Sequence, residues 1–223
     1  MKLLALDSAT EACTVALWID GEVLERNESG GKHAERILPM VNELLSEAGL
    51  SLKQLDGIAF GRGPGSFTGL RIGAGVTQGL AFGADLPVIP ISSLAALAQG
   101  VDALRVVAAF DARMRQVYWG TYQRGADGLM TPATPETVVD PATAPLPAGP
   151  GWIVAGSGWD AYKGILEPLT SASGGSGLPG IIPQARHVAA LALSRLQAGD
   201  VVSPELAVPV YIRDDVAKKF GAV

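Results

Sequence analysis

The chain states one pattern twice. Residues 3–6 form an apolar run that ends at Asp7, 12–19 is a second strand-like run, Asp20-Gly21 offers a tight turn, and 22–26 continues as a third strand. A later run, 55–60, enters the glycine turn Gly61-Arg62-Gly63-Pro64-Gly65-Ser66, followed by a helical segment to about Phe82. The order then returns. Residues 105–110 end at Asp111, 116–123 follow, Asp127-Gly128 turns the chain, and 129–131 begins a third strand. Residues 152–155 run into Gly156-Ser157-Gly158, with a short helix from Trp159. A period of roughly 100 residues is too long for a solenoid, so the repeat predicts two similar α/β lobes in tandem. The boundary falls between 1–104 and 105–223.

The rest of the chain fits that frame. Residues 32–48 read as a helix, because Ile37, Met40, Val41, Leu44, Leu45 and Ala48 recur at helical spacing and Gly49 stops them. Pro39 is expected to start its regular part or to kink it. Residues 87–91 read as a strand, and Ser92 or Ser93 as the cap of a helix through Gln99. In the second half a Pro-rich stretch, 132–150, replaces the first helix, and 171–180 reads as a mobile Ser/Gly loop. Residues 184–198 form an amphipathic helix, and 206–213 a final extended segment.

Composition narrows the function classes. Apolar residues make up 48% of the 223 and charged residues 17%, so the chain buries a sizeable core or covers an apolar face with a partner. A net charge of −5 argues against direct affinity for a polyphosphate backbone, with Arg113 and Arg115 as a local exception. One cysteine, Cys13, excludes a disulfide framework and a multi-thiolate metal site, and two histidines exclude a three-His zinc site. Asp7 interrupts the leading apolar stretch too early for a signal peptide, and no apolar run reaches bilayer length. The expectation is a cytoplasmic protein with no membrane segment.

Several segments have two readings. The glycine turn before Thr68 is either an anion cradle at a helix N-terminus or a tight turn that lets strand and helix pack closely. It is neither a Walker A loop nor Gly-x-Gly-x-x-Gly. The helix after it carries Gly69, Gly73, Gly75, Gly79 and Gly83 within about 160° of one face, together with Ile72, Val76 and Leu80. That face serves either a second subunit or the chain's own sheet. Asp7 and Asp111 either face each other across a cleft and hold Mg²⁺ with a nucleotide, or simply form turns. His33 and His187 both open helices, which favours caps or surface residues over ligands. Cys13 alternates within a strand and reads as a buried apolar side chain.

Three strings together resemble one family: Leu3-Leu4-Ala5-Leu6-Asp7-Ser8-Ala9-Thr10-Glu11-Ala12-Cys13, His33-Ala34-Glu35-Arg36-Ile37-Leu38-Pro39, and Gly63-Pro64-Gly65-Ser66-Phe67-Thr68-Gly69-Leu70-Arg71-Ile72-Gly73. Asp111-Ala112-Arg113, Val117-Tyr118 and Pro209-Val210-Tyr211-Ile212-Arg213 extend the match over nearly the whole chain. The chain resembles the TsaB (YeaZ) family. That resemblance implies an α/β fold of two tandem ribonuclease-H-like lobes in the ASKHA (actin/Hsp70/sugar kinase) superfamily. It also implies a role in making N6-threonylcarbamoyladenosine at position 37 of tRNAs that read codons starting with A.

The resemblance further implies a non-catalytic scaffold. Its partners would be a TsaD-like catalytic subunit and a TsaE-like ATPase, with a homodimer when alone and tRNA met only through the complex. The catalytic paralogue carries a His-x-x-x-His metal pair, and the matching positions here are Ser93 and Leu97, which cannot make such a site. No cofactor of its own is expected, with ATP or ADP placed at the partner interface. The expected partner surface uses His33, Ile37, Met40, Val41, Leu44 and Leu45 on the first helix. On the second it uses Gly69, Ile72, Gly73, Val76, Gly79 and Leu80. The rival reading is a stand-alone ASKHA nucleotide hydrolase or kinase using Asp7, Asp111, Gly156 and Gly158.

Overall fold

The computed structural model describes residues 1–213. The first lobe opens as a meander: β1 (Lys2–Asp7), β2 (Cys13–Ile19) and β3 (Glu22–Glu28). Helix α1 (His33–Ala48) leads to β4 (Gly57–Gly61), α2 (Phe67–Ala84) leads to β5 (Val88–Ile91), and α3 (Ser93–Gln99) follows. The sheet order is β3-β2-β1-β4-β5, antiparallel through the meander and parallel from β1 onward.

The second lobe repeats this topology. Strands β6 (Arg105–Asp111), β7 (Val117–Arg124) and β8 (Met130–Pro132) form the meander, and β9 (Thr137–Val139) adds a second short strand on β7. Strand β10 (Ile153–Ala155), α4 (Ser157–Ala172), β11 (Ser176–Leu178) and α5 (Ala185–Gln197) complete it. Read from β8, the order β8-β7-β6-β10-β11 matches that of the first sheet. The duplication predicted from the sequence is present, as two ribonuclease-H-like sheets. Where the first lobe has α1, the second has only the 3-10 turn Pro141–Thr143, because the Pro-rich chain there cannot supply helix hydrogen bonds.

Three local expectations change. Pro39 sits inside α1 without breaking it. The carbonyl it leaves without a helical partner belongs to Glu35, which is exposed. Helix α4 is longer than expected, kinked at Tyr162 and carrying Pro168. Part of the 171–180 segment is strand, since β11 pairs in parallel with β10.

The largest difference lies in how the halves interlock. Helix α3 closes the first repeat but packs on the second sheet, where Leu94, Leu97 and Ala98 join Val106, Ala108, Phe110 and Tyr122. Helix α5 closes the second repeat but packs on the first sheet, where Val188, Ala189 and Ala192 meet Leu3, Ala5, Ala16 and Ala59. Among the described residues the two halves therefore share their cores. Each half lends a helix to the core of the other, and α3 and α5 touch. No helix of the described residues is long and apolar enough to cross a membrane.

Candidate functional site

The molecule has two candidate regions, the cleft between the lobes and the outer face of α2. The cleft encloses about 930 Å³. One wall is the β1–β2 loop and the start of α2; the other is the β6–β7 turn, with Tyr211 and Arg213 at the rim.

Asp7 ends β1 but does not reach this cleft. It is 1% exposed, with Ser93 Oγ donating to Oδ2 at 2.6 Å and the Ala9 N–H donating to Oδ1 at 2.9 Å. Burial pushes its carboxyl up to about 6, against the lowering effect of those two hydrogen bonds. Gly61 lies against the same carboxylate, and a Cβ there would overlap Oδ2. The expected pairing of Asp7 with Asp111 across a cleft is therefore not found: of the two, only Asp111 lines it. Asp111 Oδ1 accepts from the Arg113 N–H at 2.8 Å and from the Tyr162 hydroxyl at 3.3 Å.

Gly156 and Gly158 are also spent on packing. A Cβ on Gly156 would collide with the Ala109 carbonyl, and one on Gly158 would lie 3.0 Å from Ala109. They let the start of α4 settle on β6, and Ser157 between them lines the cleft. Of the four residues weighed for a nucleotide, Asp111 alone lines the cleft.

The turn before α2 resolves as close packing. The Ser66 side chain caps the helix by accepting from the Gly69 N–H. Gly65 sits against Ala9, and Ser8 Oγ donates to the Gly69 carbonyl at 2.9 Å. Side chains on Gly69 or Gly73 would strike Ser8. These two glycines bring α2 onto the end of β1.

The other glycines of α2 behave differently. Around Gly75, Gly79 and Gly83 a Cβ would meet nothing within 4 Å. Phe82, on the same side, is 61% exposed. On α1, Leu38 is 45% exposed. Ile72, Val76 and Leu80 are half-buried between this face and the core.

This corrects part of the expected partner surface. His33, Ile37, Met40, Val41, Leu44, Leu45, Gly69 and Gly73 are all buried in the chain's own lobe. The five apolar side chains of α1 are committed to the lobe's own core, where burial of each is worth about 2 kcal/mol. Ile72, Val76, Gly79 and Leu80 keep access to a partner, and the sequence reading missed Phe82 and Leu38. The signal was there: Leu70, Ala74, Thr77 and Ala81 recur at helical spacing and mark the opposite, inward face.

Ser93 and Leu97 occupy adjoining turns of α3. Ser93 is bonded to Asp7, and Leu97 is fully buried among Val106, Ala108 and Phe110. Among the described residues no group of three or more His, Cys, Asp or Glu is placed to hold a metal ion. Cys13 is buried, as its alternation predicts, and burial pushes its thiol up to about 12.

Comparison with known proteins gives a consistent result. A family model described as TsaD, tRNA N6-adenosine threonylcarbamoyltransferase, matches residues 27–163. The tRNA threonylcarbamoyladenosine biosynthesis protein TsaB of Escherichia coli is 43% identical over 229 residues, covering 98% of this chain and 97% of its own. The structure of YeaZ from Pseudomonas aeruginosa superposes with a TM-score of 0.85 at 43% identity, over 94% of this chain and 99% of that one. The activator of 2-hydroxyisocaproyl-CoA dehydratase from Clostridium difficile is similar in fold alone, with a TM-score of 0.50 at 11% identity, over 90% of this chain and 97% of that one.

Proposed function

The chain belongs to the TsaB (YeaZ) family, with its ASKHA-type fold, and from that membership we propose that it is a non-catalytic subunit in the synthesis of threonylcarbamoyladenosine on tRNA. Its work is to bind a TsaD-like catalytic subunit, hold it in an active conformation and help recruit a TsaE-like ATPase. Tethering raises the effective concentration of the parts, and binding one conformation more tightly shifts the enzyme toward it.

The observation that carries this reading is the outward face of α2. Gly75, Gly79 and Gly83 leave backbone open to close approach, and Phe82 stands exposed beside them. Close-packed helices with an aromatic anchor are what a protein partner engages. Without that partner the same face suits a second copy of the chain. The α3 positions matched to the paralogue's metal pair are committed to Asp7 and to the apolar core, which supports a role as partner to the enzyme. ATP or ADP belongs to the partner interface in this reading, and tRNA to the assembled complex.

Co-expression with the catalytic subunit of the same cell tests it. The two proteins should co-elute, and modification of tRNA by purified components should require both. Tight binding of ATP and Mg²⁺ by the isolated chain, with turnover, would instead favour the hydrolase or kinase reading.

A further inference from the structure

The turn between β6 and β7 has an unusual backbone. Arg113, Met114 and Arg115 have φ of 60°, 51° and 59°, three consecutive residues in the left-handed region with no glycine among them. Each is strained there, because the Cβ crowds the following carbonyl. The surroundings hold the turn in place. The Ala112 N–H donates to the Gln116 carbonyl at 2.9 Å, and the Gln116 N–H to that of Arg113 at 3.0 Å. Asp111 Oδ1 accepts from the Arg113 N–H. Arg213 donates to Gln116 and reaches the Met114 sulfur at 3.6 Å. Strain that several independent contacts maintain at the mouth of a cleft points to a use for the conformation.

The conformation pushes three side chains into solvent. Arg113, Met114 and Arg115 are all exposed, Met114 by 73%. Arg113 leans on Asp111 at 3.3 Å but stays largely open, and Arg115 has no ion pair among the described residues. Phe67 and Tyr211 stand at the rim of the same cleft, 51% and 43% exposed, with ring centroids 5.5 Å apart. Arg71 lies over the Phe67 ring at 3.8 Å to its centroid, and its Nε donates to the Tyr211 hydroxyl at 3.1 Å. In a chain of net charge −5, this gathers guanidinium groups at one cleft mouth.

We propose that the Arg113–Arg115 turn is an RNA contact, its two guanidiniums engaging backbone phosphates across the cleft mouth from Arg71, with the exposed part of Tyr211 offered to an unpaired base. The inference rests on the functional reading above, and assigns this subunit its own share of the RNA held by the complex. Guanidinium groups pair with phosphate in a bidentate fork, and aromatic rings next to them are what single-stranded bases stack on. An acidic protein segment would use the same arginines, and is told apart by whether RNA binding or co-elution is lost.

The test is fluorescence anisotropy with a labelled RNA stem-loop across a salt series, using the full chain alone and with its catalytic partner. Replacing Arg113 and Arg115 together by Gln should weaken RNA binding about tenfold near 0.1 M salt, and flatten the log–log salt slope by about 2. Co-elution with the partner and the melting temperature should not change. Arg115→Glu alone should show the same direction, and keeps the result readable if the double variant melts early. An unchanged salt slope overturns the proposal. So does a loss of RNA binding that follows loss of co-elution, which would make the turn a protein contact. Failure of the functional reading shows separately, as no co-elution of the wild-type chain.

Discussion

Ser93 Oγ donates a 2.6 Å hydrogen bond to Asp7 Oδ2 in a place closed to solvent, joining the first residue of α3 to the last residue of β1. Asp7, which the sequence offers for chemistry, thus meets a hydroxyl of its own core. The arrangement has a cost that can be measured. The Asp7 carboxyl is raised to about 6 by burial, so the folded protein holds a proton that the unfolded chain releases near pH 4. The stability this group contributes is complete below pH 4 and is lost as pH rises through 6, a loss on the order of 3 kcal/mol. Asp7→Asn should flatten the dependence of melting temperature on pH between 4 and 7 and bring the largest relative gain near pH 8. Parallel profiles for variant and wild type would show that Asp7 does not titrate as the geometry requires.

The two ends of the α2 glycine series should respond in opposite ways. Gly73→Leu drives a side chain into Ser8, so it should destabilise the fold by about 2 kcal/mol or more. Gly79→Leu enters open space and improves helix propensity, so the fold should gain about 0.5–1 kcal/mol. The same Gly79→Leu change should abolish association with a partner or second copy. Thermal melts and size-exclusion chromatography on both variants decide it; equal effects on stability would mean that the helix is rotated from the orientation described.

Restoring a metal pair on α3 should fail. Ser93→His with Leu97→His would place one imidazole against Asp7 and another in the apolar cluster of Val106, Ala108 and Phe110. Burying an unpaired polar ring costs about 1–3 kcal/mol, and loss of the Leu97 packing adds to that. The double variant should melt well below wild type and show no stabilisation by added zinc or iron. A rise in melting temperature on adding metal would show that the site is nearer to the paralogue's than this packing allows.

The exchanged helices predict one unfolding transition. Because α3 packs on the second sheet and α5 on the first, neither half has a complete core without the other. Calorimetric and van't Hoff enthalpies should agree. Two resolved transitions, or a soluble, folded 1–104 fragment, would contradict the interlock.

What could be read from the sequence was local. The meander to Asp7, the Asp20-Gly21 turn, α1 and its stop at Gly49, and the duplication itself all follow from alternation, helical spacing and turn chemistry within short windows. What could not be read depends on which distant surfaces meet. Helical spacing groups Gly69 and Gly73 with Gly79, but only packing on Ser8 separates them. The apolar stripe of α1 looks the same whether it faces a partner or its own sheet. Nothing in Arg113-Met114-Arg115 signals a left-handed run, since none of the three favours that region. The same holds for α5, whose pattern shows an apolar face but not which sheet it covers.

The central claim is that this chain acts through a surface it offers to a catalytic subunit. Reconstituted tRNA modification, run with the catalytic subunit and ATPase and with wild-type chain, Gly79→Leu chain or none, tests it most directly. The account predicts threonylcarbamoyladenosine with wild-type chain, and little or none with Gly79→Leu or without the chain. Full modification in its absence, or modification by this chain alone, would contradict the account.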